Sequence, residues 1–139
     1  MDELIGEATR RSQVVWVGTG DHEPRAVWHV WHAGAAYVLS GPGEQRIPPL
    51  HDGGTAHVVV RSKDRQGDRI ADWVATVTRV SPGTAEWDEV VPLLHVRRLN
   101  APDGEAQPAR WARECQVWQL RPTGELRPTG ELRPTGEPF

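Results

Sequence analysis

Four cationic side chains in the first half of the chain have the chemistry to bind phosphate. They stand at the ends of strand-like runs or in the loops between them, and they are Arg25, Arg46, Arg61 and Lys63. Cations fixed at the rim of a small sheet, together with backbone N–H groups in Gly-rich turns, suit a phosphate-bearing ligand. The pattern therefore favours a nucleotide-type cofactor held by a β-barrel.

A solvated basic rim is the alternative interpretation of the same four side chains. Asp64, Asp68 and Asp72 lie near Arg61 and Lys63 in the sequence and offer carboxylates that can pair with them. Exposed pairs of this kind are common on inert surfaces and contribute little to stability. The spacing of the residues leaves both interpretations open.

The six histidines and the single cysteine do not form a recognisable metal or catalytic set. His29 and His32 are three residues apart in a strand-like run, so they point to opposite faces of it. Neither the other histidines nor Cys115 has the spacing of a known ligand set or an evident catalytic partner. The sequence therefore predicts no metal site and leaves the catalytic residues unassigned.

The positions of apolar and turn residues predict a mainly β fold, a six-stranded antiparallel split β-barrel with one principal helix and short flanking helices. The predicted strands cover residues 13–17, 24–32, 35–40, 56–60, 69–80 and 115–120. The principal helix begins with Ser81 or Thr84 as its N-cap, and Pro92 is expected to kink it or to mark a fresh start. Short helical segments are expected at residues 2–11 and 108–114.

The 139 residues divide into a folded domain, 1–120, and a tail, 121–139, that repeats the hexad RPTGEL. Each hexad contains a proline and a glycine, so the tail is expected to be a flexible extension, with a docking tag for a partner as the alternative. The net charge of −3 gives no general attraction for nucleic acid or for anionic membrane surfaces. With no long apolar run and an acidic start, Met-Asp-Glu-Leu, the chain is expected to be cytoplasmic.

Three segments carry a resemblance to a known family. They read PRAVWHVWHAGAAYVLSGPGEQR, AHVVVRSK and ADWVATVTRVSPGTAEWDEVVPLL. Their order resembles the pyridoxamine 5'-phosphate oxidase-like, FMN-binding split-barrel superfamily, over about residues 10–120. In that family a strand that begins with Arg precedes a hairpin, a loop that ends in a basic residue, an apolar strand, a long strand and a helix.

The resemblance implies a cofactor, a partner and a set of site residues. The cofactor is FMN, and the partner is a second copy, in a homodimer whose two sites are each built from both subunits. Arg25, Ser40, Gln45 and Arg46 fall where the family contacts the flavin phosphate and the ribityl chain, with Arg61 or Lys63 as further phosphate ligands. An aromatic residue from the C-terminal region often lies against the flavin in this family, and Trp111 and Trp118 are the candidates.

The resemblance also implies a function, an FMN-dependent oxidoreductase acting on a small-molecule substrate. Val30 stands where the oxidase tends to have Lys, and the RPTGEL hexads replace its substrate-binding C-terminal segment, so the substrate is not expected to be pyridoxamine phosphate. The alternatives are a deazaflavin-dependent reductase with a wider basic groove that includes Lys63 and Arg65, a non-catalytic module for flavin or haem, and a dimeric scaffold without a cofactor.

Overall fold

The computed structural model describes residues 2–12, 14–20, 22–61, 69–98 and 104–126. Seven strands are present in this part of the chain: β1 Val14–Gly18, β2 Arg25–Trp28, β3 Val30–His32, β4 Ala35–Ser40, β5 Thr55–Arg61, β6 Arg69–Val80 and β7 Gln116–Leu126. Its three α-helices are α1 Asp2–Arg11, α2 Ala85–Arg97 and α3 Gln107–Glu114. None of these helices is long and apolar enough to cross a membrane.

The strands form one antiparallel sheet in the order β2-β1-β5-β6-β7-β4-β3. β2 and β3 stand at opposite ends of this order but are consecutive in the chain, joined only through His29. The sheet must therefore curl until its two edges meet, and the result is a nearly closed barrel. The mainly β, split-barrel fold predicted from the sequence is confirmed.

The predicted strand over residues 24–32 is two strands, which is why the barrel has seven strands and not six. The break falls at His29, which is 1 % exposed and donates from Nε2 to the carbonyl oxygen of Thr9 in α1 at 2.8 Å. Apolar side chains on both faces of the segment make it resemble one continuous strand in the sequence. The strand is interrupted at His29, where the imidazole binds α1. The apolar pattern of the sequence gives no sign of this break.

One face of the strands lines the barrel interior and forms the first of two apolar cores. This interior core follows the alternation of strand side chains, with Val15 and Val17 from β1 and Val58 and Val60 from β5. Ile5 of α1 also belongs to it, so the N-terminal helix packs against the interior. The helix predicted at residues 2–11 thus contributes to the barrel itself.

The second core lies on the outer face of the sheet, beneath α2 and α3. Its sheet residues include Tyr37, Leu39 and Val117, and the helices add Trp87, Val90, Leu94 and Trp111. Thr84 is the N-cap of α2, because its Oγ1 accepts from the backbone N–H of Trp87 at 3.2 Å. α2 runs through Pro92 as a single helix, and this proline lies on its exposed face.

β7 extends beyond residue 120, the end of the folded domain expected from the sequence. The first RPTGEL hexad forms its last six residues, and Pro122 and Leu126 pair with Ala75 and Trp73 of β6. The register shifts between Trp73 and Ala75, which lets a strand that contains proline and glycine continue beside β6. The other two hexads lie outside the described residues.

Candidate functional site

The structure brings Arg25 and Arg46 together in one pocket. Arg25 is the first residue of β2, and Arg46 lies in the long loop between β4 and β5. The pocket has a volume of about 410 Å³, and its other lining residues are His22, Glu23, Ile47, Pro48 and Pro49. Two of the four cations that the sequence indicated therefore meet at one place.

The pocket combines a cationic part with an apolar part. Two guanidinium groups and the imidazole of His22 supply donors, and Ile47 with Pro48 and Pro49 supplies an apolar strip. Ligand pockets in proteins usually measure about 300–1,000 Å³, so this one has room for part of an organic molecule and an anionic group. Glu23 also lines the pocket and is its only carboxylate among the described lining residues.

The loop that carries Arg46 leaves β4 in close contact with Cys115, the residue before β7. At Gly41 the φ angle is +143°, and a Cβ atom there would lie 2.7 Å from Sγ of Cys115 and 2.8 Å from its Cα. Only glycine allows this approach without displacing Cys115. The Gly-rich sequence after β4 therefore sets the path of the loop towards the pocket.

Gln45, the residue before Arg46, uses its side-chain amide to bind the protein backbone. Its Oε1 accepts from the N–H of Trp28 at 2.9 Å, and its Nε2 donates to the carbonyl oxygens of Trp28 at 3.0 Å and Leu39 at 3.2 Å. The amide thus bridges the end of β2 and the end of β4. Gln45 was predicted to contact the cofactor, and in this structure its amide oxygen and amide nitrogen both bind backbone groups.

Glu44 is a buried carboxylate that the sequence analysis missed. Its side chain is 0 % exposed, and it accepts from Arg98 Nε at 2.9 Å, Arg110 Nη2 at 2.8 Å and Trp111 Nε1 at 3.2 Å. Burial by itself raises the pKa of this carboxyl, but the hydrogen bonds from Arg110, Arg98 and Trp111 outweigh it and the pKa is lowered. The ionised carboxylate ties the loop to α3 and to the end of α2.

The two tryptophans predicted to lie against a flavin occupy different positions. Trp111 is 0 % exposed in the outer core, so its ring offers no surface to a ligand in this chain. Trp118 is half-buried on β7 opposite Val38 and packs against the interior core. Neither is among the described residues that line the pocket of Arg25 and Arg46.

The remaining predicted site residues also lie apart from this pocket as far as the structure describes them. Ser40 is half-buried at the end of β4, opposite Gln116 of β7. Arg61 ends β5 and places its guanidinium 5.7 Å from the centre of the Trp16 ring, a cation–π contact on the outer face. Lys63, the fourth predicted cation, falls outside the described residues.

Of the three aspartates that could pair with the cations of a solvated basic rim, only Asp72 lies within the described residues. This residue is 1 % exposed on β6 and hydrogen-bonds to His57 of β5, and neither residue is among the described residues that line the pocket of Arg25 and Arg46. Asp64 and Asp68 fall outside the described residues. Within the described part of the chain, no three His, Cys, Asp or Glu side chains are grouped as a metal ion would require.

Comparison with known proteins identifies similar structures but no sequence relatives. No protein-family model matches the chain, and no curated protein matches it. HutZ, the haem storage protein of Vibrio cholerae, is 14 % identical with a TM-score of 0.62, over 91 % of this chain and 92 % of that one. The general stress FMN/FAD-binding protein of Xanthomonas citri is 14 % identical with a TM-score of 0.57, over 96 % and 95 %.

A third similar structure is a putative general stress protein 26 from a Jannaschia species. It is 15 % identical with a TM-score of 0.53, over 88 % of this chain and 75 % of that one. At these identities the likeness concerns the fold alone. The fold predicted from the sequence resemblance is thus one that solved flavin- and haem-binding proteins also have.

Proposed function

We propose that this chain is an FMN-dependent oxidoreductase of the pyridoxamine 5'-phosphate oxidase-like superfamily, with a substrate other than pyridoxamine phosphate. The observation that carries the proposal is the meeting of Arg25 and Arg46 in one pocket. In this proposal the two guanidinium groups hold the flavin phosphate, and Ile47 with the neighbouring prolines covers part of the organic group. The fold shared with an FMN/FAD-binding protein supports it.

The affinity for phosphate must come from this local pair, because the whole chain has a net charge of −3. A charge-assisted hydrogen bond that is partly desolvated contributes about 1.5–3 kcal/mol. The loss of either arginine should therefore weaken FMN binding roughly 10- to 100-fold. Bound flavin supplies the hydride chemistry, and the residues of this chain bind it, orient it and exclude water from it.

We also propose a cytoplasmic homodimer that uses the outer face of β1 and β5. Val14 is 43 % exposed there, and Trp16 is half-buried beside Val59, its partner on β5. Among the described residues, the outer core beneath α2 and α3 includes none from β1 or β5, so this part of the sheet is available to a second copy. The single, buried thiol of Cys115 fits a reducing compartment.

A non-catalytic module that binds flavin or haem is the second candidate. Two observations favour the haem form: the shared fold with a haem storage protein, and the presence of His22 beside the arginines. An imidazole is a common haem iron ligand, and arginines pair with carboxylates such as the haem propionates. A deazaflavin-dependent reductase remains a third proposal, and the residues expected to widen its groove, Lys63 and Arg65, lie outside the described residues.

Equilibrium titrations with FMN and with riboflavin test the proposed site. Riboflavin has the same ring and ribityl chain but no phosphate, so the ratio of the two dissociation constants measures the phosphate contribution alone. We expect the wild type to prefer FMN, and Arg25→Ala and Arg46→Ala to lose that preference. Arg113→Ala, a control that removes an exposed arginine of α3, should keep it. Equal affinities of the wild type for both ligands would overturn the assignment.

Turnover distinguishes the enzyme from the binding module. A flavin-loaded protein that oxidises NADH or NADPH in the presence of an electron acceptor, at a rate above free FMN, supports the oxidoreductase. Binding without such a rate supports the module. Addition of haem discriminates further, because a Soret band that is lost in His22→Ala would indicate haem ligation at the same pocket.

A further inference from the structure

We propose that Gln45 is a positioning residue that sets the relative placement of Arg25 and Arg46, and so the preference of the site for a phosphate group. The inference rests on the proposed function, since it concerns the same pocket. It assigns to Gln45 a role that does not require it to touch the ligand.

The amide of Gln45 joins the end of β2 to β4, just beyond the last residue pair of β3 and β4, Val30 and Tyr37. β2 ends at Trp28, and β2 and β4 are not neighbours in the sheet. Gln45 holds both the N–H and the carbonyl oxygen of Trp28, at 2.9 and 3.0 Å, and reaches the carbonyl oxygen of Leu39 on β4 at 3.2 Å. One side chain of the loop therefore joins three backbone groups, two of Trp28 at the end of β2 and one of Leu39 on β4.

Both arginines are attached to the ends of this bridge. Arg46 is the next residue in the chain, and Arg25 lies three residues before Trp28 on the short strand β2. β2 is itself held by β1, whose Val17 pairs with Arg25 and whose Val14 pairs with Trp28. The path from one guanidinium to the other thus runs through a hydrogen-bonded strand, the amide of Gln45 and one peptide bond.

Glu44, the residue before Gln45, attaches the same loop to the helices. The carboxylate of Glu44 is buried against Arg98 and Arg110, so the backbone that precedes Gln45 is attached to α2 and α3. With Glu44 and Gln45 both engaged, the backbone that leads to Arg46 is held at two successive residues. Arginine recognises phosphate through paired, directional hydrogen bonds, so small displacements of the two groups reduce the number that form together.

The ratio of the riboflavin and FMN dissociation constants provides the test. In Gln45→Met, a variant of similar size that cannot form the bridge, the ratio should fall about tenfold, a coupling within the usual range for residues that share one network. The riboflavin dissociation constant should stay within about twofold of the wild type, since no ring contact is removed. In an Arg46→Ala background, Gln45→Met should have no further effect on the ratio.

Two controls separate positioning from general destabilisation. Gln119→Met removes side-chain hydrogen bonds to Tyr37 and Glu86 beneath α2 and should leave the ratio unchanged. If Gln45→Met does not melt cooperatively, Gln45→Asn takes its place, because the shorter amide keeps the polarity but cannot reach both strands. The same fall of the ratio is expected for it.

The outcomes distinguish this inference from the function on which it rests. A wild type with no preference for FMN over riboflavin contradicts the proposed function itself. A wild type that prefers FMN, with Gln45 variants that keep the full preference, contradicts the positioning role alone. Parallel losses of FMN and riboflavin affinity also contradict it, because they would show a general structural role for Gln45.

Discussion

Replacing His29 with glutamine should flatten the pH dependence of the free energy of unfolding between pH 8 and pH 5. The imidazole of His29 is 1 % exposed at the break between β2 and β3, and it donates to the carbonyl oxygen of Thr9 at 2.8 Å. Burial lowers its pKa from 6.5 to about 4; the hydrogen bond to Thr9 opposes this shift, and the charge of Arg97 adds to it. The folded protein therefore keeps His29 neutral at pH values where the unfolded chain protonates it.

The magnitude follows from the difference between the two pKa values. Below pH 6.5 the unfolded state binds a proton that the folded state does not bind, so stability falls as the pH falls and the loss is complete below about pH 4. At pH 5 the loss is about 2 kcal/mol relative to pH 8, and its limit is about 3 kcal/mol. A glutamine at this position does not titrate, so this part of the pH dependence should disappear.

Urea unfolding followed by tryptophan fluorescence at several pH values measures the effect, because the chain has seven tryptophans. The difference between the wild-type and His29→Gln profiles should change by about 2 kcal/mol between pH 8 and pH 5. Val77→Ala, which truncates a fully buried residue of the interior core without removing a charge, should lower stability equally at every pH. Parallel profiles for the wild type and His29→Gln would refute the assignment of a buried, neutral His29.

Three further predictions concern the stability of the barrel and of the loop that carries Arg46, and urea unfolding at pH 7 checks each of them. Glu44→Gln should cost roughly 3 kcal/mol, because it leaves two largely buried guanidinium groups without their carboxylate; a cost below about 0.5 kcal/mol would contradict a buried ion pair. Gly41→Ala should lower the free energy of unfolding by about 2 kcal/mol or more, since the new Cβ would overlap Cys115. Gly53→Ala, also at positive φ but with nothing within 4 Å, should lower it by only about 1 kcal/mol. Equal losses would argue against the close approach of Gly41 to Cys115. Deletion of all three hexads should destabilise the protein relative to deletion of the last two, because the first hexad pairs with β6, and equal stabilities would show that this pairing contributes nothing.

Much of the fold could be predicted because its main features are local in the sequence. Alternating apolar residues identify the strands, and the Ser/Thr pair before α2 identifies its start. The break at His29 and the extension of β7 through Pro122 could not be seen in this way. In the first case both strand faces are apolar, and in the second proline and glycine are ordinarily signs of a strand's end.

The candidate site could be predicted only in part. Arg25 and Arg46 were identified because each lies at the end of a strand or in a Gly-rich loop, where cations gather at a sheet rim. The partners of Glu44 lie 54 and 66 residues further along the chain, so nothing near it in the sequence marks it as buried. The burial of Trp111 could not be predicted either, because the sequence around it does not indicate whether its ring packs in the core or contacts a ligand.

The crystal structure of the protein with FMN would show whether Arg25 and Arg46 hold the flavin phosphate. We predict that the phosphate lies between the guanidinium groups of Arg25 and Arg46, with nitrogen–oxygen distances of about 2.8 Å. The amide of Gln45 should remain on Trp28 and Leu39 in that complex. FMN bound with its phosphate away from both arginines would contradict the proposed phosphate site.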